Sequence, residues 1–152
     1  MAFFCDTSAL VKRYVSETET TWLTTTLHPN LKQKIYVGQI TIVEIASAIA
    51  RRGKSGSTTP HEALTAFNQF EQDWKSEFTI VDFSRDIVRD AITLAQKYAL
   101  RGYDAVQLST VLYVHRERVA LNIPSLTFLS ADSDLNDAAI AEGLVIDDPN
   151  NH

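Results

Sequence analysis

Four acidic residues that lie far apart in the sequence are the strongest candidates for chemistry. Asp6 directly follows a short apolar run, and Asp132 closely follows another. Glu44 and Asp104 lie near the starts of predicted helices. Ligands of parallel sheets bind at the carboxyl ends of the strands and at the helix starts that follow, so we expect these side chains to meet in one cleft. Converging carboxylates repel each other at neutral pH, and a hard cation offsets that repulsion, so the quartet predicts an all-oxygen site for Mg²⁺ or Mn²⁺.

Each of these acids also has a purely structural explanation. Asp6 could cap a helix or a turn, and Glu44 could complete a capping box. Asp104 would interact favourably with a helix dipole without any metal. Asp132 could be a turn residue, and the nearby Asp134 competes with it for the same role. The metal site is therefore predicted from the joint placement of the acids and not from any one of them.

Strands and helices alternate along the predicted chain. Strands are predicted at 2–5, 34–37, 78–83, 126–129 and 144–146. This alternation indicates crossover connections and a mostly parallel sheet that is covered by helices on both faces. We therefore expect an α/β layer sandwich formed by a single domain over residues 1–152.

Capping patterns predict where the helices begin. Thr7 or Ser8 caps the first helix, and a capping box that includes Pro60 gives the strongest helix start in the chain. The other helix starts are predicted at 16–19, 41–44, 84, 101–104 and 135. The basic, Gly- and Ser-rich stretch 51–59 is interpreted as a loop between two helices.

Composition and charge exclude several classes of protein. The chain has 152 residues and a formal net charge of −5, which argues against a polyelectrolyte binder of DNA. Cys5 is the single cysteine, which excludes an internal disulfide framework and suits a reducing cytosol. We find no secretory signal and no apolar run long enough for a membrane span, so we expect a cytoplasmic protein.

Other side chains with chemical potential fit structural roles better. Cys5 is predicted to be a buried strand residue, and Phe67, Phe70 and Trp74 form a stripe expected in the core or at a partner interface. The four histidines show no metal-ligand spacing, and neither a Gly-rich phosphate loop nor a G-x-S-x-G motif occurs. A basic rim for a phosphate backbone could be formed by Lys12, Arg13, Arg51, Arg52, Lys54, Arg101, Arg116 and Arg118, although solvated helix faces explain these residues equally well.

Four stretches, in order along the chain, share the pattern of one protein family. The stretch 3–12 has a strand, Asp6 and small hydroxyl side chains, and the stretch 41–48 has a helix with Glu44. The stretch 100–108 has Asp104 followed by Ala105, and the stretch 128–135 has a strand followed by Asp132. In order and spacing, over residues 3–146, the chain resembles the PIN-domain family, specifically the VapC-type ribonuclease toxins of prokaryotic toxin–antitoxin pairs.

The resemblance implies a role for each acid. Asp6 and Asp104 would be direct Mg²⁺ ligands, and Glu44 and Asp132 would complete the shell, partly through water. Ser8 would be a supporting hydroxyl beside the site. Ser130 is a further candidate for support, and Asp134 is an alternative to Asp132.

The resemblance also implies a fold, an activity and partners. The fold would be a PIN-like three-layer sandwich, and the activity that of a Mg²⁺-dependent endoribonuclease in which Mn²⁺ substitutes for Mg²⁺. Such a hydrolase would cleave RNA with a metal-activated water held by the quartet. The implied partners are an RNA substrate, a small cognate antitoxin and a second copy of the chain in a homodimer.

Two other functions remain open from the sequence. The first is a non-catalytic PIN-like module that binds RNA or protein, against which the complete quartet argues. The second is an aspartyl-phosphate hydrolase or receiver domain, which also has an Asp after its first strand. The loops after the predicted strands lack the Lys of such a site, and Ser8 stands where a second Asp would be expected.

Overall fold

The protein is an α/β layer structure built on a five-stranded parallel sheet. The computed structural model describes residues 1–15 and 20–152. Its strands are β1 (Ala2–Cys5), β2 (Lys34–Gly38), β3 (Phe78–Val81), β4 (Thr127–Leu129) and β5 (Val145–Asp147). All neighbouring strands pair in parallel, and the strand order is β3-β2-β1-β4-β5. The predicted fold class is therefore confirmed.

Helices connect the strands and cover both faces of the sheet. In the described residues they are α1 (Thr7–Tyr14), α2 (Thr20–Thr26), α3 (Gln39–Ser55), α4 (Pro60–Ser76), α5 (Arg85–Tyr98), α6 (Gly102–Ala120) and α7 (Ser133–Ala141). Short 3₁₀ turns occupy Pro29–Leu31 and Pro149–Asn151. No helix in these ranges is both long enough and apolar enough to span a bilayer.

Alternate side chains of the central strand enter two separate hydrophobic clusters. Phe3 and Cys5 of β1 pack into the cluster formed with α1 to α4, which also contains Phe70. Phe4 lies in the opposite cluster with side chains of α5, α6 and α7. This period of two is the pattern of a strand that is buried on both faces. The structure thus confirms that the stripe at Phe70 is core.

Several predicted helix starts are confirmed by their hydrogen bonds. Thr59 Oγ1 accepts the Glu62 N–H at 3.1 Å, and Glu62 Oε1 accepts the Thr59 N–H at 3.1 Å, which completes a capping box before Pro60 begins α4. Ser84 caps α5 by accepting the Ile87 N–H. Local sequence alone determines these two boundaries.

Other predicted boundaries are wrong. The pattern 41–44 is not a capping box, because β2 runs directly into α3 and Gly38 is its N-cap. Residues 51–55 are not loop but the last turns of α3, which ends at Gly56 in the left-handed conformation. Asp6, and not Thr7 or Ser8, caps α1. The capping box predicted at 16–19 lies outside the described residues.

Candidate metal centre

The carboxyl ends of the central strands place two of the predicted acids beside each other. β1 and β4 are neighbours, with Cys5 opposite Leu129. The next residue, Asp6, donates its N–H to the Leu129 carbonyl at 2.9 Å, which extends the pairing by one step. Asp132 follows the end of β4 by two intervening residues. The structure therefore positions these two acids at one edge of the sheet, as the strand pattern predicts.

Asp6 caps a helix with only one of its two carboxylate oxygens. Its Oδ2 accepts the Ser8 N–H at 3.1 Å and the Ser8 hydroxyl at 2.5 Å, which caps α1. No hydrogen bond from the described residues reaches Oδ1. The side chain is only 3% exposed, and this burial raises its pKa to about 7. Hydrogen bonds from Ser8 lower the pKa, whereas the charges of Glu44 and Asp104 raise it further.

Ser8 links the ends of the two strands. Its hydroxyl donates to Asp6, and its oxygen accepts the Ala131 N–H at 3.0 Å. Ser130 is fully buried, and its hydroxyl accepts the Asp132 N–H at 3.3 Å. Both serines predicted as supporting residues thus contact the segments that carry the acids.

Asp104 faces the same group of carboxylates from the first turn of α6. Partial burial raises its pKa, and the charges of Asp132, Glu44 and Asp134 raise it further, while Arg101 lowers it. The charges that raise this pKa belong to the segment after β4 and to α3. Asp104 and Asp132 line one cleft, whereas Asp6 and Glu44 are not among the residues that line it.

The two candidates after β4 both line the acidic cleft. Asp132 caps α7 with Oδ1, which accepts the Leu135 N–H at 3.0 Å. Asp134 is exposed in the first turn of the same helix. The cleft has a volume of about 470 Å³ and is lined by both residues together with Asp104 and Asp137. Both residues are therefore placed to contribute a carboxylate to this cleft.

Glu44 is held by a polar cluster that the sequence pattern did not reveal. Its Oε1 accepts the Thr7 hydroxyl at 2.8 Å. The Gln107 amide lies within 3.5 Å of both of these side chains and donates to Thr41. Thr7 directly follows Asp6, and Gln107 follows Asp104 by one helical turn. These positions next to the acids are the sequence feature that could have predicted the cluster.

The basic residues do not form a continuous rim around the cleft. Arg13 pairs with Glu77 at 3.1 Å, and Arg116 with Asp90 at 3.4 Å. Arg101 is the one basic side chain among the described residues that lines the acidic cleft. Positive charge near the carboxylates is therefore provided by a single residue of the predicted set.

Cys5 and three of the histidines have structural surroundings. Cys5 is fully buried, and burial raises the pKa of its thiol to about 12, so it is no nucleophile near neutral pH. His28 caps a 3₁₀ turn, and His115 lies 2.7 Å from the Ser125 hydroxyl. His152 stacks on Trp22.

The donor set suits a hard cation, although the carboxylates are not gathered into a coordination shell. All the acids in the cleft offer oxygen, the donor that Mg²⁺ and Mn²⁺ prefer. Across residues 1–15 and 20–152, no three His, Cys, Asp or Glu side chains lie at metal-ligand spacing. The residues therefore fit such an ion by chemistry and charge, and side-chain adjustment would be needed to bind it.

Comparison with known proteins identifies a matching family and solved structures with a similar fold. The model of the PIN domain family matches residues 3–141. The structure of FitAB bound to an IR36 DNA fragment covers 97% of this chain and 94% of that chain, with a TM-score of 0.68 and 12% identity. A toxin–antitoxin complex from Klebsiella pneumoniae covers 98% of each chain, with a TM-score of 0.63 and 19% identity. VapBC2 from Rickettsia felis, bound to a DNA fragment from its promoter, covers 97% of this chain and 98% of that chain, with a TM-score of 0.60 and 15% identity.

At these identities the likeness to solved structures concerns the fold. A comparison with curated protein sequences gives no significant match. The family model, however, spans nearly all of the chain and includes the four stretches that carry the resemblance. The chain belongs to the PIN domain family.

Proposed function

We propose that this protein is a Mg²⁺-dependent endoribonuclease and the toxin of a type II toxin–antitoxin pair. The observation that carries the proposal is the placement of Asp6 and Asp132 after the neighbouring strands β1 and β4, with Asp132 and Asp104 lining one acidic cleft. Membership of the PIN domain family supports a nuclease. Repelling carboxylates that surround a buried acid cost stability without a cation, which supports a site that is completed by one.

The four acids would have different roles in binding the ion and the water. Asp6 and Asp104 would hold the cation directly, and Glu44 and Asp132 would complete its surroundings, in part through water. A divalent cation supplies Lewis acidity, which makes an attacking water more acidic and offsets charge on the phosphate. A carboxylate that is not engaged by the ion can accept the proton of that water. Ser8 would keep Asp6 oriented through the hydrogen bond to Oδ2.

The partners belong to the same proposal. The solved toxin–antitoxin complexes that share this fold favour a small cognate antitoxin for this chain as well. We further propose a homodimer in the cytoplasm. RNA as the substrate follows from the VapC-type resemblance of the four acidic stretches.

RNA cleavage by purified protein tests the activity. The wild-type chain should cleave a mixed RNA substrate with Mg²⁺ or Mn²⁺, and excess EDTA should stop the reaction. Asp6→Asn and Asp104→Asn should each lower the rate by at least about tenfold, because each loses a carboxylate of the site. Asp86→Asn is the matched control, since that side chain is 73% exposed on α5 and lies outside the cleft lining. Cleavage at the wild-type rate by Asp104→Asn would overturn the assignment.

A non-catalytic PIN-like module is the second candidate. One observation favours it, namely that no three acids in the described chain lie at ligand spacing. Such a module would bind RNA or a protein partner with the same affinity in EDTA as in Mg²⁺. Binding without any metal response, in a protein that cleaves none of the RNAs tested, would support this alternative.

A further inference from the structure

A buried polar cluster joins the two helices that carry Glu44 and Asp104. Thr41 precedes Glu44 by three residues on α3, and Gln107 follows Asp104 by three residues on α6. Residues at this spacing are neighbours on a helix surface. The Gln107 side chain therefore reaches from the helix of one acid to the helix of the other.

The Gln107 amide is surrounded by acceptors. Its Nε2 lies 2.5 Å from Thr41 Oγ1, 3.3 Å from Thr7 Oγ1 and 3.5 Å from Glu44 Oε1. An amide nitrogen carries two hydrogens, so one serves Thr41 and the other is shared between Thr7 and Glu44. Thr7 in turn donates its hydroxyl to Glu44 Oε1 at 2.8 Å. The amide thus acts on the glutamate both directly and through a threonine.

The two carboxylate oxygens of Glu44 are held differently. Oε1 receives the donors of the cluster, whereas no donor in the described part of the chain reaches Oε2. A carboxylate that is fixed by one oxygen presents the other in a defined direction. The carboxylate of Glu44 is oriented in this way before any ligand arrives.

The arrangement leaves one polar atom of Gln107 without a hydrogen bond. The residue is only 1% exposed, and its Oε1 has no hydrogen-bond partner. An unsatisfied buried acceptor destabilises the fold, so stability alone does not account for a glutamine at this position. The oxygen lies close to Gly38, where a Cβ would be 3.1 Å from it.

We propose that Gln107 is a positioning residue that fixes Glu44 through Thr7 and Thr41, so that Oε2 remains available to a divalent cation. The inference rests on the cation site of the proposed function. Partners that orient metal ligands commonly change metal affinity by about 10–100-fold when they are removed. Gln107 is expected to act in this range through Glu44 alone.

Mn²⁺ affinity of the full-length chain, measured by calorimetric titration, is the direct test. Gln107→Met keeps the side-chain length and removes the amide, and it should weaken Mn²⁺ binding by about tenfold or more. The metal-free variant should remain folded, because the substitution also removes the unpaired oxygen. Gln96→Met is the matched control on the exposed side of α5 and should bind Mn²⁺ as the wild type does.

A double-mutant cycle separates positioning from a general structural effect. In a Glu44→Gln background, the Gln107→Met substitution should change Mn²⁺ affinity little further, because the two side chains act as one unit. A loss of the same size in both backgrounds would mean that Gln107 acts without Glu44, and it would overturn the inference.

Gly38→Ala gives a second route that leaves Gln107 chemically intact. The added methyl would lie 3.1 Å from Gln107 Oε1, 3.7 Å from Thr110 Cγ2 and 3.8 Å from Phe4 Cζ, so the flexible amide should shift by a few tenths of an ångström. This variant should also bind Mn²⁺ more weakly, and it decides the question if Gln107→Met does not fold. Wild-type affinity in the folded variants would overturn this inference alone, whereas a wild-type chain that binds no Mn²⁺ would overturn the proposed function and this inference together.

Discussion

The two oxygens of the Asp6 carboxyl group have different hydrogen bonds. Oδ2 accepts two hydrogen bonds from Ser8 and caps α1, while Oδ1 receives none from the described residues. The capping explanation and the metal explanation for this residue are therefore compatible. Asp132 repeats the arrangement, since its Oδ1 caps α7. In both cases a helix cap places a carboxylate close to the end of a strand, at the edge of the sheet.

The raised pKa of Asp6 predicts a pH-dependent stability of the metal-free protein. The folded-state pKa of about 7 lies above the ordinary aspartate value of 3.8, so between pH 3.8 and pH 7 the folded state binds more protons than the unfolded state. The free energy of unfolding should therefore increase as the pH falls from 8 towards 5. Asp6→Asn should be more stable than wild type at pH 8 by on the order of 1 kcal/mol, and the difference should shrink at pH 5. Chemical unfolding in EDTA at both pH values measures this, with the exposed Asp86→Asn as control.

An equal stability difference between Asp6→Asn and wild type at pH 5 and pH 8 would contradict the raised pKa of Asp6.

At this scale the sequence predicts the acids but not the residues that orient them. Each acid follows a recognisable strand or begins a helix, so local pattern is sufficient. Gln107 instead contacts Thr41 and Thr7 across sequence separations of 66 and 100 residues. A polar residue with partners so far away cannot be distinguished from other buried polar residues before the helices are packed.

Helix boundaries show which elements local chemistry determines. α4 begins at the predicted capping box, in which Thr59 and Glu62 satisfy each other's N–H groups. α3 does not begin at the pattern 41–44, because the end of β2 at Gly38 leads directly into the helix. Glu44 consequently takes no part in a capping box, and its carboxylate accepts a hydrogen bond from the Thr7 hydroxyl. Tertiary context, and not helix propensity, therefore determines the hydrogen-bond partner of Glu44.

The capping box of α4 gives a prediction at the scale of one element. Thr59→Ala should lower the free energy of unfolding by about 0.5–2 kcal/mol, because the Glu62 N–H loses its acceptor. Thr59 does not line the acidic cleft, so Mn²⁺ affinity should be unchanged in the folded variant. Urea unfolding and a Mn²⁺ titration of the same preparation test the two statements. A change in affinity would show that α4 is coupled to the metal centre.

The central strand of the sheet contributes side chains to both hydrophobic clusters. β1 sends Phe3 and Cys5 into one cluster and Ala2 and Phe4 into the other. The alternation of elements predicts a parallel sheet, but it does not predict that β1 pairs with both β2 and β4. That order depends on contacts between the two ends of the chain, which no local pattern contains. It is also the order that brings Asp6 and Asp132 together.

We propose that the chain unfolds as one cooperative unit, and the tryptophans allow a test. Trp22 and Trp74 both pack against the cluster of α1 to α4. Phe128 lies fully buried in the opposite cluster, in edge contact with Phe4. Phe128→Ala should destabilise the protein by about 3–5 kcal/mol and shift the tryptophan fluorescence and far-ultraviolet circular dichroism transitions together. A fluorescence transition that stays at the wild-type position would mean that the two faces unfold separately.

Mn²⁺-dependent thermal stability tests the central claim most directly, because it needs no knowledge of the RNA. With the metal-free wild-type chain, Mn²⁺ should raise the unfolding midpoint, by the equivalent of about 2.7 kcal/mol when its concentration is 100 times the Kd. Asp104→Asn should lose this gain and should be no less stable without metal, because one repelling charge has been removed. An unchanged wild-type midpoint, or the same gain in Asp104→Asn, would contradict a cation site formed by these carboxylates.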